Sequence, residues 1–146
     1  MAVAKLDGSG RKILVIDDDL AIRVLLQAVL RRMKFDVELA EDGAAGLDKL
    51  GNSNDGHYDL VLLDLMMPKL NGYEFIDRIS VQYPDGNRPH IIVFTAAGKR
   101  GVDKIPEDSV CASILKPFDL DKFIEIIADC LTSAHETRPV STRSGE

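Results

Sequence analysis

Basic residues are in deficit: 18 Lys and Arg stand against 24 Asp and Glu, a net charge of −6 over 146 residues. Non-specific nucleic-acid binding normally needs a basic face, so the balance argues against a direct nucleic-acid partner. No apolar stretch approaches the ~20 residues of a membrane-spanning helix, and membrane insertion is not expected. The opening MAVAKLDGSGRK holds no hydrophobic region before Ile13, so it does not read as a secretory signal and the expected location is the cytoplasm. Cysteine is scarce. Cys111 and Cys130 have neither metal-ligand nor CxxC spacing, and in a cytosolic setting two reduced thiols are favoured over a disulfide. No internal repeat is found.

The length suits one domain at ~100–200 residues each, and an apolar fraction of 45% supplies a core. Apolar runs with strand character lie at Lys12–Ile16, Phe35–Leu39, Leu60–Leu63, His90–Phe94 and Val110–Leu115. Helical stripes lie between and after them. Ile22, Leu25, Leu26, Val29 and Leu30 mark the first, with Asp19 as its N-cap. A short helix is expected from Glu41 to Leu50. Phe75, Ile76 and Ile79 mark the next, over Tyr73–Tyr83, and Leu120, Phe123, Ile124 and Ile127 mark the last, over Asp119–Leu131. Gly51–Gly56 and Pro84–Asn87 read as loop and turn. Lys99–Asp108 is a poor helix because Gly101 and Pro106 interrupt it. The chain then divides into a frayed start over 1–11, one domain over 12–131 and a polar, disordered tail over 132–146.

Strands alternating with helices imply βαβ crossovers and a parallel sheet covered on both faces. The ligand site of such a sheet lies beyond the carboxyl ends of its strands, where Asp17, Asp18, Asp64, Thr95 and Lys116 fall. Close carboxylates repel unless a cation joins them. With oxygen ligands and no His or Cys nearby, that cation is a hard one: Mg2+, or Mn2+ or Ca2+ in its place. Lys116 offers a positive charge to a phosphate oxygen or to Asp64. The Thr95 hydroxyl and the Ala96 N–H offer further donors. A cation, donors and a carboxylate nucleophile are the equipment of phosphoryl transfer through an aspartyl phosphate.

On the motifs ILVIDDD (13–19), LVLLDLMMPKLNG (60–72), IIVFTA (91–96) and ILKPF (114–118), the chain resembles the receiver domain of two-component response regulators, in its stand-alone form. The resemblance implies a flavodoxin-like three-layer αβα sandwich with a five-stranded parallel sheet of order 2-1-3-4-5. It implies Asp64 as the phosphoacceptor, supplied by a sensor histidine kinase or a histidine phosphotransfer protein. Asp18, Asp64 and the Met66 carbonyl would bind Mg2+ directly, and Asp17 through metal-bound water. Thr95 and the Ala96 N–H would contact phosphoryl oxygens, and Lys116, preceding a cis peptide to Pro117, would pair with Asp64 or the phosphate. Such a protein accepts a phosphoryl group, is not a turnover enzyme, and signals to a downstream protein by contact.

Two features depart from the family pattern. Ser113 replaces the aromatic residue that usually stands three before the lysine, so output is expected to involve ordering or displacement of residues 98–110. Met66 and Ala97 are both apolar and cannot orient an attacking water, so self-dephosphorylation is expected to be slow. The alternative from an enzyme class is a haloacid-dehalogenase-like phosphatase with its D-x-D-x-[TV] motif. Asp17 and Asp19 supply the two acids, but Ala21 stands in the final position and the chain has no room for a cap domain. In a flavodoxin-like cofactor carrier the phosphate loop follows the first strand, where three acids stand here. A degenerate, binding-only receiver fits poorly with the intact set of acids, Thr95 and Lys116.

Overall fold

A computed structural model of the chain describes residues 6–51, 58–67, 70–83 and 88–136. Its strands are β1 (Lys12–Ile16), β2 (Asp36–Ala40), β3 (Leu60–Leu63), β4 (His90–Thr95) and β5 (Ala112–Leu115). Its α-helices are α1 (Leu20–Arg32), α2 (Gly43–Gly51), α3 (Gly72–Gln82), α4 (Gly98–Val102) and α5 (Leu120–Glu136), with a single 3-10 turn at Glu107–Ser109. All strand pairs are parallel and the order is β2-β1-β3-β4-β5. This is the flavodoxin-like sheet that the resemblance implied.

Alternation along each strand builds two cores, because successive side chains leave a strand on opposite faces. Ile13, Val15, Leu60, Leu62, Ile92 and Phe94 face α1 and α5, where they meet Leu26, Leu30, Phe123 and Ile127. Leu14, Ile16, Val61, Leu63, Ile91 and Val93 face the other way, toward Leu50, Phe75, Ile76 and Ile79 of α2 and α3. β1 and β3 are buried on both sides, which is why their sequences are uninterrupted aliphatic runs. Asp19 caps α1 by accepting from the Ala21 N–H at 2.9 Å. A reciprocal pair starts α3: Asn71 accepts from the Glu74 N–H and Glu74 from the Asn71 N–H, each at 3.0 Å.

The structure corrects several expectations. Cys111 and Cys130 are joined in a disulfide, with Cα atoms 6.2 Å apart. Packing of α5 beside β5 brings together two residues whose spacing carries no local signal. Residues 6–11 are tied down rather than frayed. Leu6 packs on the first core, and the Gly8 N–H donates to the Met33 carbonyl at 2.7 Å. The ring of Phe35 fills the space that a Cβ at Gly8 would need. The tail expected from Thr132 begins as helix, since α5 runs to Glu136. Cys130 and Leu131 are both buried, so the apolar stripe runs to the end of the expected helix, and Thr132 just beyond it is exposed. Leu25, expected inward, is 44% exposed. The interrupted segment after β4 reduces to the five residues of α4 and the 3-10 turn. Residues 1–5 and 137–146, most of the 51–56 loop, Pro68 and the 84–87 turn lie outside the described residues.

Candidate functional site

β1 and β3 are adjacent and in register from Ile13↔Leu60 to Ile16↔Leu63. Asp17 and Asp64, one residue past these strands, are therefore side by side at the same sheet end. The Asp64 N–H donates to the Ile16 carbonyl at 3.1 Å and the Asp17 N–H to the Ala40 carbonyl at 3.2 Å, which carries the ladder one step beyond the strands. Asp17 is fully buried, Asp64 is buried and Asp18 is exposed. Each of the three offers a carboxylate oxygen, and these oxygens lie within 4.8 Å of one another.

Lys116 arrives from β5. Its Nζ lies 3.1 Å from Asp17 Oδ2 and 3.4 Å from Asp64 Oδ2. Its own N–H donates to the Thr95 carbonyl at 2.9 Å, which fixes the end of β5 against the end of β4. The Lys116–Pro117 peptide is cis. Phe118, one residue on, stacks on Phe123 at 5.0 Å and meets Phe94 edge-on at 6.2 Å. The Lys116 ammonium also lies 5.0 Å from the centre of the Phe94 ring. Aromatic packing beneath thus holds the stem that delivers the cation.

Burial pushes the Asp17 carboxyl up to about 6, and the Asp64 charge adds to this; the Asp19 N–H and Lys116 work in the other direction without cancelling it. For Lys116, burial disfavours the charge, but the Asp17 and Asp64 carboxylates outweigh burial and raise its pKa above the ordinary lysine value. The remaining carboxylate oxygens hold backbone in place. Asp17 Oδ1 accepts from the Asp19 N–H at 2.9 Å and Asp64 Oδ1 from the Met66 N–H at 3.1 Å. Thr95 is fully buried at the last position of β4, and its Oγ1 accepts from the Ala97 N–H at 3.1 Å, while Ala96 is exposed. The Met66 side chain projects outward and is 57% exposed.

Lys116 pairs with Asp17 and Asp64 while Asp18 stands beside them, so three carboxylates are clustered at one ammonium and negative charge at the site is in excess. All its side-chain ligand atoms are oxygens, which fits a hard divalent cation. Asp17, Asp18 and Asp64 are the residues that could hold one.

Two contributors were not foreseen. Arg23 donates from Nη1 to the Asp17 carbonyl at 2.7 Å, bracing the loop that holds the acids. Gly72 is buried under the segment that follows β3. Its N–H donates to the Leu65 carbonyl at 3.1 Å, and a Cβ there would stand 2.9 Å from the Asp64 carbonyl oxygen. The Asn71-Gly72 pair was readable as a turn, but its close approach to Asp64 was not. Ser113 is exposed and borders a cavity of about 470 Å³ together with Val102, Ile105 and Val110.

The model of the response regulator receiver domain family matches residues 13–128. ArlR of Staphylococcus saprophyticus, a response regulator, is 34% identical over 119 residues, covering 77% of this chain and 49% of ArlR. The DNA-binding transcriptional regulator NtrC of Rhizobium meliloti is 35% identical over 123 residues, covering 84% of this chain and 24% of NtrC. The chain thus spans half or less of the length of these relatives. Among solved structures, the response regulator TrrA of Thermotoga maritima, in complex with Mg(2+)-BeF, superposes with a TM-score of 0.70 at 30% identity. That likeness covers 82% of this chain and 98% of TrrA. The phosphatase alternative finds no support in these matches. Response regulators act in two-component signalling with histidine kinases or phosphotransfer proteins, and this chain belongs to their receiver domain family.

Proposed function

We propose that Asp64 is the phosphoacceptor of this receiver and that Asp17, Asp18, Asp64 and the Met66 carbonyl hold Mg2+, for which Mn2+ or Ca2+ can substitute. The observation that carries the reading is the placement of Lys116 Nζ between Asp17 Oδ2 and Asp64 Oδ2, at 3.1 and 3.4 Å, in a site that still has carboxylates to spare. An Asp64 carboxylate oxygen attacks phosphorus, and the P–N bond of a phosphohistidine on a kinase or phosphotransfer partner breaks as the P–O bond forms. When bound, the divalent ion neutralises charge on the acids and the incoming phosphoryl oxygens. Lys116 pairs with the new phosphoryl group, and the Thr95 hydroxyl and Ala96 N–H donate to its remaining oxygens.

The chain accepts one phosphoryl group and does not turn over a substrate. It acts in the cytoplasm on a downstream protein by contact, with no direct nucleic-acid or membrane role of its own. With Met66 and Ala97 apolar, the acyl phosphate is long-lived. The reading is tested with Asp64→Asn, which removes the nucleophile while keeping the shape. Mg2+-dependent labelling by a small acyl phosphate is expected on the wild type and lost on the variant; label that persists on Asp64→Asn overturns the assignment.

A further inference from the structure

Resting on the phosphoacceptor reading of Asp64, we infer that the groove between α3 and α4 is a docking site for a short acidic protein segment with one large apolar anchor, and that its affinity follows the state of Asp64. A cavity of about 660 Å³ opens beside the Asp64 loop, within the range of sites that take a ligand. Met66, Met67 and Tyr73 supply apolar lining, and Arg100 and Lys104 stand on one side.

The charge balance points to an acidic occupant. The chain as a whole is acidic, yet this groove presents two cations. Among the described residues neither Arg100 nor Lys104 has an ion-pair partner, whereas neighbouring Lys99 pairs with Asp103 at 3.3 Å. The apolar lining calls for more than a simple anion. Methionine side chains adapt to varied apolar partners, and Met66 is 57% exposed where the occupant would enter. A leucine- or phenylalanine-sized side chain with a carboxylate on either side satisfies both parts of the groove.

The groove is joined to the phosphoacceptor by backbone. The Met66 N–H donates to Asp64 Oδ1, and the Ala97 N–H, on the opposite wall, donates to Thr95 Oγ1. A phosphoryl group on Asp64 alters the carboxylate that accepts from Met66, and by accepting from the Thr95 hydroxyl it draws on the oxygen that accepts from Ala97. The Tyr73 hydroxyl donates to the Gly101 carbonyl at 2.7 Å, tying the two walls together. A Cβ at Gly101 would stand only 2.6 Å from that of Ala97 and 3.1 Å from the Tyr73 hydroxyl oxygen. Displacement at either acid or threonine therefore reaches both walls.

The test uses the full chain and a fluorescein-labelled hexapeptide, Asp-Glu-Leu-Phe-Asp-Glu, with Lys-Lys-Leu-Phe-Lys-Lys as its charge-reversed control. Anisotropy and amide chemical shifts are followed with and without beryllofluoride and Mg2+. Expected results are binding of the acidic peptide alone, shifts centred on residues 66–67, 73 and 100–104, and a dissociation constant that changes about threefold or more with beryllofluoride. The exposed double variant Arg100→Glu/Lys104→Glu should weaken binding about tenfold or more while still accepting label at Asp64. Equal binding of both peptides, shifts elsewhere, or full affinity in the double variant overturns the docking site. Equal affinity in the two states overturns the coupling. A wild type that takes no label overturns the phosphoacceptor reading instead, and is read independently of the peptide.

Discussion

Asp17 is placed where its charge costs stability, and the cost can be measured. Burial raises its carboxyl from an ordinary 3.8 to about 6. A raised acid pKa means that folding favours the protonated form. The stabilising contribution is therefore complete below about pH 4 and is lost as pH rises through about 6. At ~1.4 kcal/mol per pKa unit, the metal-free protein at pH 7.5 carries a penalty of about 3 kcal/mol from this one group. That is a large share of the ~5–15 kcal/mol that holds a domain together. Asp17→Asn keeps the shape and cannot ionise. In EDTA, the stability of the variant minus that of the wild type should be near zero at pH 4 and should grow by about 3 kcal/mol by pH 7.5. Urea unfolding at four pH values between these limits reads the difference directly. Acids remote from the site destabilise both proteins alike at low pH and cancel. The raised pKa of Lys116 adds no slope here, because its contribution is lost only above the ordinary lysine value of 10.5. Mg2+ should then stabilise the wild type at pH 7.5 much more than at pH 5, and the variant far less at either pH. A difference between the two proteins that stays constant with pH would refute the reasoning.

Gly72→Ala places a Cβ 2.7 Å from Leu65 Cα and 2.9 Å from the Asp64 carbonyl oxygen. It should cost about 1–3 kcal/mol in urea unfolding and slow labelling of Asp64; a variant with unchanged stability and labelling rate counts against the tight loop. Reduction of the Cys111–Cys130 bond, whose cysteines are 19 residues apart, should lower unfolding stability by about 3 kcal/mol. Thiol titration with and without reductant checks that the bond was present. Beryllofluoride with Mg2+ should alter amide exchange across residues 98–110, and identical protection in both states removes that segment from the output route.

The sheet was legible because its strands are buried on one or both faces and their runs stop at residues of a different kind. LVLL ends at Asp64 and ILVI at Asp17, and each abrupt change marks the same sheet end. Boundaries shifted where the signal is a gradient. β5 begins at Ala112 rather than Val110, and α5 outlasts the expected helix because helix propensity and polarity overlap in Thr132–Glu136. Contacts that depend on packing left no trace in the sequence. The Cys111–Cys130 bond depends on α5 lying beside β5, and the Tyr73–Gly101 tie on the start of α3 meeting the short α4. Arg23 was invisible for the same reason, since its acceptor is a backbone carbonyl.

The two pairings of Lys116 span 99 residues to Asp17 and 52 to Asp64. No single hairpin, helix pair or βαβ unit contains the chemistry. A nascent or partly unfolded chain has the acids without the ammonium beside them, so on the proposed reading it has nothing to signal with. The ability to accept a phosphoryl group is then a test that only the completed sheet passes. A cell that reads this modification receives news of an intact molecule along with news of the stimulus.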